Sequence, residues 1–259
     1  MKLAVSNIAW EAEEGGEAYG LMERYGFTGL EIAPTALFPQ EPYAHLGEAR
    51  AWRQGLGFQV PSMQSIWYGR TEKLFGGEGE RRALLGYTKA AIDFAAAIGC
   101  GNLVFGCPRN RSLPQGGNPA LALAFFKELG DYAHARGTAI GLEANPPIYN
   151  TNFINTTEEA LGLIEAVNSP GFLLNLDVGT MVENGESPAM LLGRVGLIRH
   201  VHISEPGLPP IEPRPLHEEL REVLEAGGYG GWVSIEMGKA GGLGAVEKAM
   251  AYVKGVFHG

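Results

Sequence analysis

Eight short apolar runs alternate with longer segments of helical period, and this alternation restricts the fold more than any other property of the chain. The runs cover residues 2–6, 29–32, 59–64, 102–105, 139–143, 172–177, 198–202 and 232–236. Between them, residues 78–98 carry Ala, Leu and Ile at three-to-four spacing and stop at Gly99. Residues 120–136 do the same and stop at Gly137. Glycine at such a position permits the left-handed turn that ends a helix before the next strand. Thr156-Thr157-Glu158-Glu159 reads as an N-cap with acids in the first turn of a helix reaching Val167. Residues 217–226 form another helix, ending at Gly227-Gly228. Strict strand–helix alternation with short turns predicts a parallel sheet. Eight such units favour a closed (β/α)8 barrel over an open doubly wound sheet. The first run is not followed by a Gly-x-Gly-x-x-Gly turn, which also weighs against a dinucleotide-binding fold. The length of 259 residues suits a barrel of roughly 250. No Pro-, Ser- or charge-rich linker interrupts the chain, so residues 1–259 are expected to form one domain.

The last four runs each end on, or just before, an ionisable side chain: Glu143, Asp177, His202 and Glu236. The gaps between them are 34, 25 and 34 residues, about one strand–helix unit each. In a parallel barrel the C-terminal ends of all strands meet at one mouth, so these groups converge. A lone buried carboxylate costs several kcal/mol. Three of them with an imidazole at this period call for one compensating charge, and a divalent cation is the simplest. Oxygen and imidazole donors suit Mn²⁺, Mg²⁺, Co²⁺ or Zn²⁺, and no thiolate is placed to select a softer metal. His200 competes with His202, because alternate side chains share a face, but only His202 stands at the end of its run.

Charge narrows the partners. The net charge is -9 and there is no basic patch of the sort a nucleic-acid binder shows. A small substrate, neutral or locally anionic, is expected instead. Residues 1–17 carry one lysine, a short apolar run and then acids, which reads as a first strand rather than a signal peptide. No apolar stretch reaches the ~18 residues of a membrane span. Cys100 and Cys107 are too few for a disulfide framework and read as reduced thiols, so a cytoplasmic protein is expected. Self-association is left open.

Several stretches resemble the sugar phosphate isomerase/epimerase family of xylose isomerase-like TIM barrels. They are Gly141-Leu142-Glu143-Ala144-Asn145-Pro146, residues 149–156 (YNTNFINT), Leu176-Asp177-Val178-Gly179-Thr180, His200-Val201-His202-Ile203-Ser204-Glu205 and Val233-Ser234-Ile235-Glu236. The resemblance implies that Glu143, Asp177, His202 and Glu236 hold one divalent metal ion. It further implies that Glu143 and Glu236 act as the acid/base pair. There are two departures. Family epimerases commonly carry a His where this chain has Thr180. They also carry an acid where Asn150 stands here. Both leave the metal site intact and shift the expected substrate from a ketohexose towards another polyol or keto acid.

The implied chemistry is proton removal beside a carbonyl, through an enediolate whose oxygens the metal stabilises. Proton return then gives an epimer or an isomer. Loss of a β-hydroxyl would instead make the protein a dehydratase of a keto-inositol or related polyol, the main alternative. An abasic-site endonuclease would need more His and Glu ligands and a basic face. A non-catalytic sugar receptor would bind without exchanging protons. Candidate substrate contacts around the mouth are Asn7, Glu31, Gln64, Arg109, Asn145 and Glu205, with Arg111 beside Arg109 as a holder of carboxylate or phosphate. Trp10, Trp67 and Tyr68 are candidates for packing on a sugar face. The proline-rich loop over residues 204–215 is expected to wall or partly cover the pocket. His45 and His217 read as surface or helix-cap residues.

Overall fold

The computed structural model describes residues 1–257. Seven parallel strands form its sheet: β1 (Lys2–Ser6), β2 (Gly29–Glu31), β3 (Leu103–Phe105), β4 (Ile140–Leu142), β5 (Phe172–Asp177), β6 (Ile198–Ile203) and β7 (Trp232–Ile235). Their order is β2-β1-β7-β6-β5-β4-β3. The first strand pairs with the last, Leu3 opposite Val233 and Val5 opposite Ile235, so the sheet curls round on itself.

The expected third strand over residues 59–64 does not form a continuous ladder. It makes isolated parallel bridges, Gly29 to Gln59 and Ile32 to Met63 on one side and Met63 to Leu103 on the other. Pro61 in its middle has no N–H to donate, which breaks the ladder. Backbone bonds still tie it to both neighbours: Gln64 N to Ile32 O at 2.8 Å and Val104 N to Met63 O at 2.8 Å. The segment therefore fills the gap between β2 and β3 and completes the (β/α)8 barrel.

Helices α1 (Gly15–Tyr25), α2 (Pro34–Leu37), α3 (Leu46–Gly55), α4 (Glu78–Ile98), α5 (Ala120–Ala135), α6 (Thr157–Val167), α7 (Val178–Asn184), α8 (Pro215–Ala226) and α9 (Gly242–Phe257) lie between and after the strands. The signals read from the sequence are the ones that end them. Gly99 caps α4 at φ 70°. At α6, Thr156 Oγ1 accepts from Glu159 N at 3.2 Å while Glu159 Oε2 accepts from Thr156 N at 3.3 Å, a reciprocal capping box. In α5 the buried residues Ala122, Phe125, Phe126, Leu129 and Ala133 recur at helical spacing. Phe126 stacks on Phe172 of β5 at 4.7 Å, which joins helix to sheet. Burying a ring of this size contributes about 1.5–3 kcal/mol. One hydrophobic cluster built this way runs from Leu3 to Phe257. Among the described residues, no helix is long and apolar enough to cross a membrane.

Candidate functional site

Parallel strands deliver four ionisable side chains to the same end of the barrel. Glu143 follows β4, Asp177 ends β5, His202 is the penultimate residue of β6 and Glu236 follows β7. Asp177 lies directly opposite His202 in the ladder. Glu236 N donates to Ile203 O at 2.9 Å and Glu143 N to Phe105 O at 3.1 Å, so both glutamates stay in register beyond the strand ends. One donor atom from each of the four side chains lies within 4.8 Å of all the others. Opposed ligands around an ion with bonds of 2.0–2.3 Å stand about 4–4.6 Å apart. The set therefore fits around a single cation. Three oxygens and one imidazole nitrogen match a hard or borderline divalent ion.

The charges in the cluster are out of balance without one. Burial raises Glu236 to about 7, with Glu143 and Asp177 adding to the rise and His202 opposing it. Burial and the Glu143 charge also raise Asp177, against hydrogen bonds from Ser204 and Thr180. Burial would lower His202, but Glu236 and Glu31 outweigh it and hold the imidazole well above its ordinary range. His202 Nδ1 stands 3.2 Å from Glu143 Oε1 and 3.0 Å from Glu236 Oε2. A bound cation would take the place of these protons.

A layer of side chains behind the cluster fixes each ligand. Asn175 Nδ2 donates to Glu143 Oε1 at 2.9 Å and lies 3.3 Å from His202 Nδ1. Asn145 Nδ2 donates to Glu143 Oε2 at 3.1 Å. Arg111, fully buried, donates to Glu143 O at 2.8 Å and to Asn145 Oδ1 at 3.0 Å. Ser204 Oγ donates to Asp177 Oδ1, and Thr180 N donates to Asp177 Oδ2 at 2.8 Å. A Cβ on Gly106 would come within 2.8 Å of Glu143 Oε2, so only glycine leaves room for that carboxylate.

Deeper in the barrel, His202 Nε2 hydrogen-bonds Glu31 Oε2 at 3.0 Å. His200 Nε2 stands 2.7 Å from the same oxygen, a close contact off the line of an aligned hydrogen bond. Gln64 Nε2 donates to Glu31 Oε1 at 2.9 Å and to Ser6 Oγ at 2.7 Å. Burial would raise Glu31, yet His202 and His200 outweigh it and hold the carboxyl below its ordinary range.

The structure thus brings the four expected metal ligands and Asn145 together and places the other candidates elsewhere. Glu31 is 0% exposed, its carboxylate enclosed by His202, His200 and Gln64 rather than open to the mouth. Asn7 Oδ1 accepts from Ala33 N at 2.8 Å and so links the loops after β1 and β2. Arg109 is exposed, whereas Arg111 belongs to the wall, so neither stands in the cluster as an anion holder. Glu205 receives Arg214 Nε at 2.8 Å and 3.0 Å on its two oxygens, which clamps the two ends of the proline-rich loop. Gly207 N donates to Tyr149 OH at 2.9 Å and Gly238 N to Leu208 O at 2.8 Å, so that loop is a tied wall. Trp10 and Trp67 are core residues, Trp67 packing 4.6 Å from Phe105; Tyr68 is 72% exposed. His217 is fully buried beside Tyr252, not on the surface. Thr180 Oγ1 faces Asp177 Oδ2 and Ala144 O at 2.8 Å each, turned into the wall. Asn150 is exposed, and Cys100 and Cys107 are free thiols. The sequence reasoning missed Asn175 and Ser204, although each stands two residues from a ligand on its own strand or just past it, hence on the same face.

Residues 20–255 match the model of the family described as xylose isomerase-like TIM barrel. The chain belongs to that family. A segment of 92 residues is 38% identical to L-ribulose 3-epimerase of Methylomonas sp. (strain DH-1), covering 34% of this chain and 31% of that protein. The match therefore spans about a third of the relative's length. Among solved structures, D-psicose 3-epimerase from Clostridium cellulolyticum H10, solved with D-tagatose, superposes with a TM-score of 0.78 at 17% identity over 99% of each chain. The 3-keto-D-glucoside 4-epimerase of E. coli gives 0.76 at 21% identity, over 98% of this chain and 99% of the other. At these identities the two structures establish the shared fold.

Proposed function

We propose that the protein is a divalent-metal-dependent epimerase or isomerase of a keto sugar or keto polyol, and that residues 1–259 work as one catalytic barrel. Glu143, Asp177, His202 and Glu236 hold the ion, and Glu143 and Glu236 carry the protons. The observation that carries this reading is the convergence of four ligand atoms within 4.8 Å at the C-terminal end of the barrel. When bound, the ion supplies polarisation of the substrate's carbonyl and adjacent hydroxyl oxygens.

The protein's own residues supply the rest. Glu143 and Glu236 flank His202 Nδ1 from two sides, each with one oxygen in the cluster. Their second oxygens differ. Glu143 Oε2 is held by Asn145, and Glu236 Oε1 has no partner among the described residues. One carboxylate takes the proton from the carbon beside the carbonyl, and the other returns one. Return to the opposite face gives epimerisation; return to the neighbouring carbon gives isomerisation. Asn145 fixes the oxygen of Glu143, and Tyr149 stands on the tied wall above. The relatives named as epimerases support proton return over loss of a hydroxyl, and so favour this reading over a dehydratase. Thr180 and Asn150 mark the places where recognition departs from the family epimerases, so the choice of sugar rests on other groups at the mouth.

The experiment is incubation of the metal-loaded protein with ketopentoses, ketohexoses, keto-inositols and hydroxypyruvate in deuterated water. The expected result is deuterium at the carbon beside the carbonyl in a product of unchanged formula. Glu143→Gln and Glu236→Gln should each reduce exchange by about 10²–10⁴-fold while retaining metal better than His202→Ala. A product that has lost water would favour the dehydratase. Full exchange in either glutamine variant would remove that residue from the proton path.

A further inference from the structure

Glu31 sits on the far side of His202 from the candidate metal cluster, and the mechanism above does not use it. Its carboxylate is 0% exposed, and so is the His202 side chain. The imidazole has two nitrogens with different tasks. Nδ1 faces Glu143 and Glu236 at 3.2 Å and 3.0 Å. Nε2 meets Glu31 Oε2 at 3.0 Å. A carboxylate can only accept, so Nε2 must carry the hydrogen. A neutral imidazole protonated there presents its lone pair at Nδ1, towards the cluster. Asn175 Nδ2, 3.3 Å from Nδ1, leaves that nitrogen with a donor beside it and no acceptor of its own beyond the ligand carboxylates.

We infer that Glu31 is a positioning residue that fixes the tautomer and ring orientation of His202, so that Nδ1 is the atom offered to the ion. Three features make Glu31 suited to this. Its other oxygen is held by Gln64, itself anchored on Ser6 at 2.7 Å, so the carboxylate cannot rotate away. His200 places a second imidazole against Oε2 at 2.7 Å and helps keep the oxygen where His202 needs it. The strands carrying this chain, β1, β2 and β6, together with the segment after Pro61, belong to the barrel wall and not to loops. A negative acceptor behind the ring also makes the imidazole a stronger donor to a cation, and such partners affect metal affinity by about 10–100-fold.

Glu31, His200 and His202 could themselves be taken for a second ion site, because their donor atoms lie within 4.8 Å of one another. A hydrogen on His202 Nε2 excludes that use, since a protonated nitrogen has no lone pair to give.

This inference rests on the proposed metal centre, and the test separates the two. Zn²⁺ is titrated into wild type, Glu31→Gln and Glu31→Asp by calorimetry, with ¹⁵N-histidine spectra of each zinc-loaded protein. Wild type should bind one ion per chain, with His202 carrying hydrogen at Nε2 and zinc at Nδ1. Glu31→Gln should bind zinc about 10–100-fold more weakly and show an altered Nε2–H resonance. Glu31→Asp should recover part of the affinity. A merely structural residue would change the melting temperature of the zinc-free protein without moving that resonance. Equal zinc affinity in wild type and Glu31→Gln, zinc at Nε2, or two ions per chain would overturn the inference and leave the proposed function standing. Failure of wild type to take up any zinc, manganese or cobalt would overturn both. If Glu31→Gln does not fold, the wild-type spectrum decides alone, through which nitrogen carries the hydrogen.

Discussion

Replacing Arg111 by methionine separates a wall residue from an anion-binding one. The guanidinium is fully buried and makes three close bonds, to Glu143 O at 2.8 Å, Asn145 Oδ1 at 3.0 Å and Ile154 O at 3.2 Å. Removing it strands Glu143 O and Asn145 Oδ1, each at about 1–3 kcal/mol, while Ile154 O keeps the bond from Asn145 N at 3.0 Å. Against this stands the cost of burying the charge. Burial pushes Arg111 down from 12.5 to about 10, a bias of about 3 kcal/mol against the charged form. Methionine recovers that penalty and keeps most of the apolar volume. The net destabilisation is then up to about 3 kcal/mol, which for a chain of this size lowers the melting temperature by up to about 10 °C. The assay is urea unfolding of the metal-free variant at neutral pH, with zinc affinity measured in parallel. Affinity should fall as well, because Arg111 holds both the backbone of Glu143 and the side chain of Asn145. Unchanged stability together with unchanged zinc affinity would refute the wall role. If the variant instead lost only its affinity for an anionic substrate, Arg111 would return to the role first expected from the sequence.

Two pH effects follow from buried groups. Burial raises Glu236 to about 7, and His202 is held well above its ordinary range by Glu236 and Glu31 in spite of burial, so the ion must displace protons. Metal affinity should rise with pH through about 7 and keep rising until His202 too has lost its proton, with proton release visible as buffer-dependent heats of binding; a flat profile from pH 6 to 8 would contradict this. His217, buried at the start of α8, is lowered by burial from 6.5 to about 4. The folded state therefore favours its neutral form. That contribution is full above about 6.5 and is lost as pH falls towards 4. His217→Gln should make unfolding less acid-sensitive than wild type by about 2 kcal/mol between pH 7 and 4.5, measured by urea melts; identical acid sensitivity would argue against a buried neutral imidazole.

The barrel and its four metal-ligand candidates were legible because both follow from one-dimensional patterns. Apolar runs separated by helical segments dictate a parallel sheet, and four adjacent runs that close on ionisable residues carry those residues to one end of it. The third run misled because its apolar content reads as strand while Pro61 removes the bond a ladder needs. The supporting residues were less legible for a different reason. Arg109 and Arg111 are two positions apart in one loop, and only the folded path shows that one is in solvent and the other inside the wall. Glu31 looked like a mouth residue because the second run was expected to end there. In the structure its carboxylate is enclosed by His202, His200 and Gln64. Glu205 also looked like a mouth group, but Arg214, nine residues on, captures it, and no local pattern announces that pairing. Asn175 sat within an apolar run, where a single amide reads as noise unless its period-two relation to Asp177 is considered.

The central claim is that Glu143, Asp177, His202 and Glu236 grip one divalent ion together. Anomalous diffraction from manganese-loaded crystals tests it most directly. The account predicts a single manganese peak per chain, about 2.0–2.4 Å from a carboxylate oxygen of each acid and from Nδ1 of His202. A peak bound elsewhere, or none in crystals grown at saturating manganese, would contradict it.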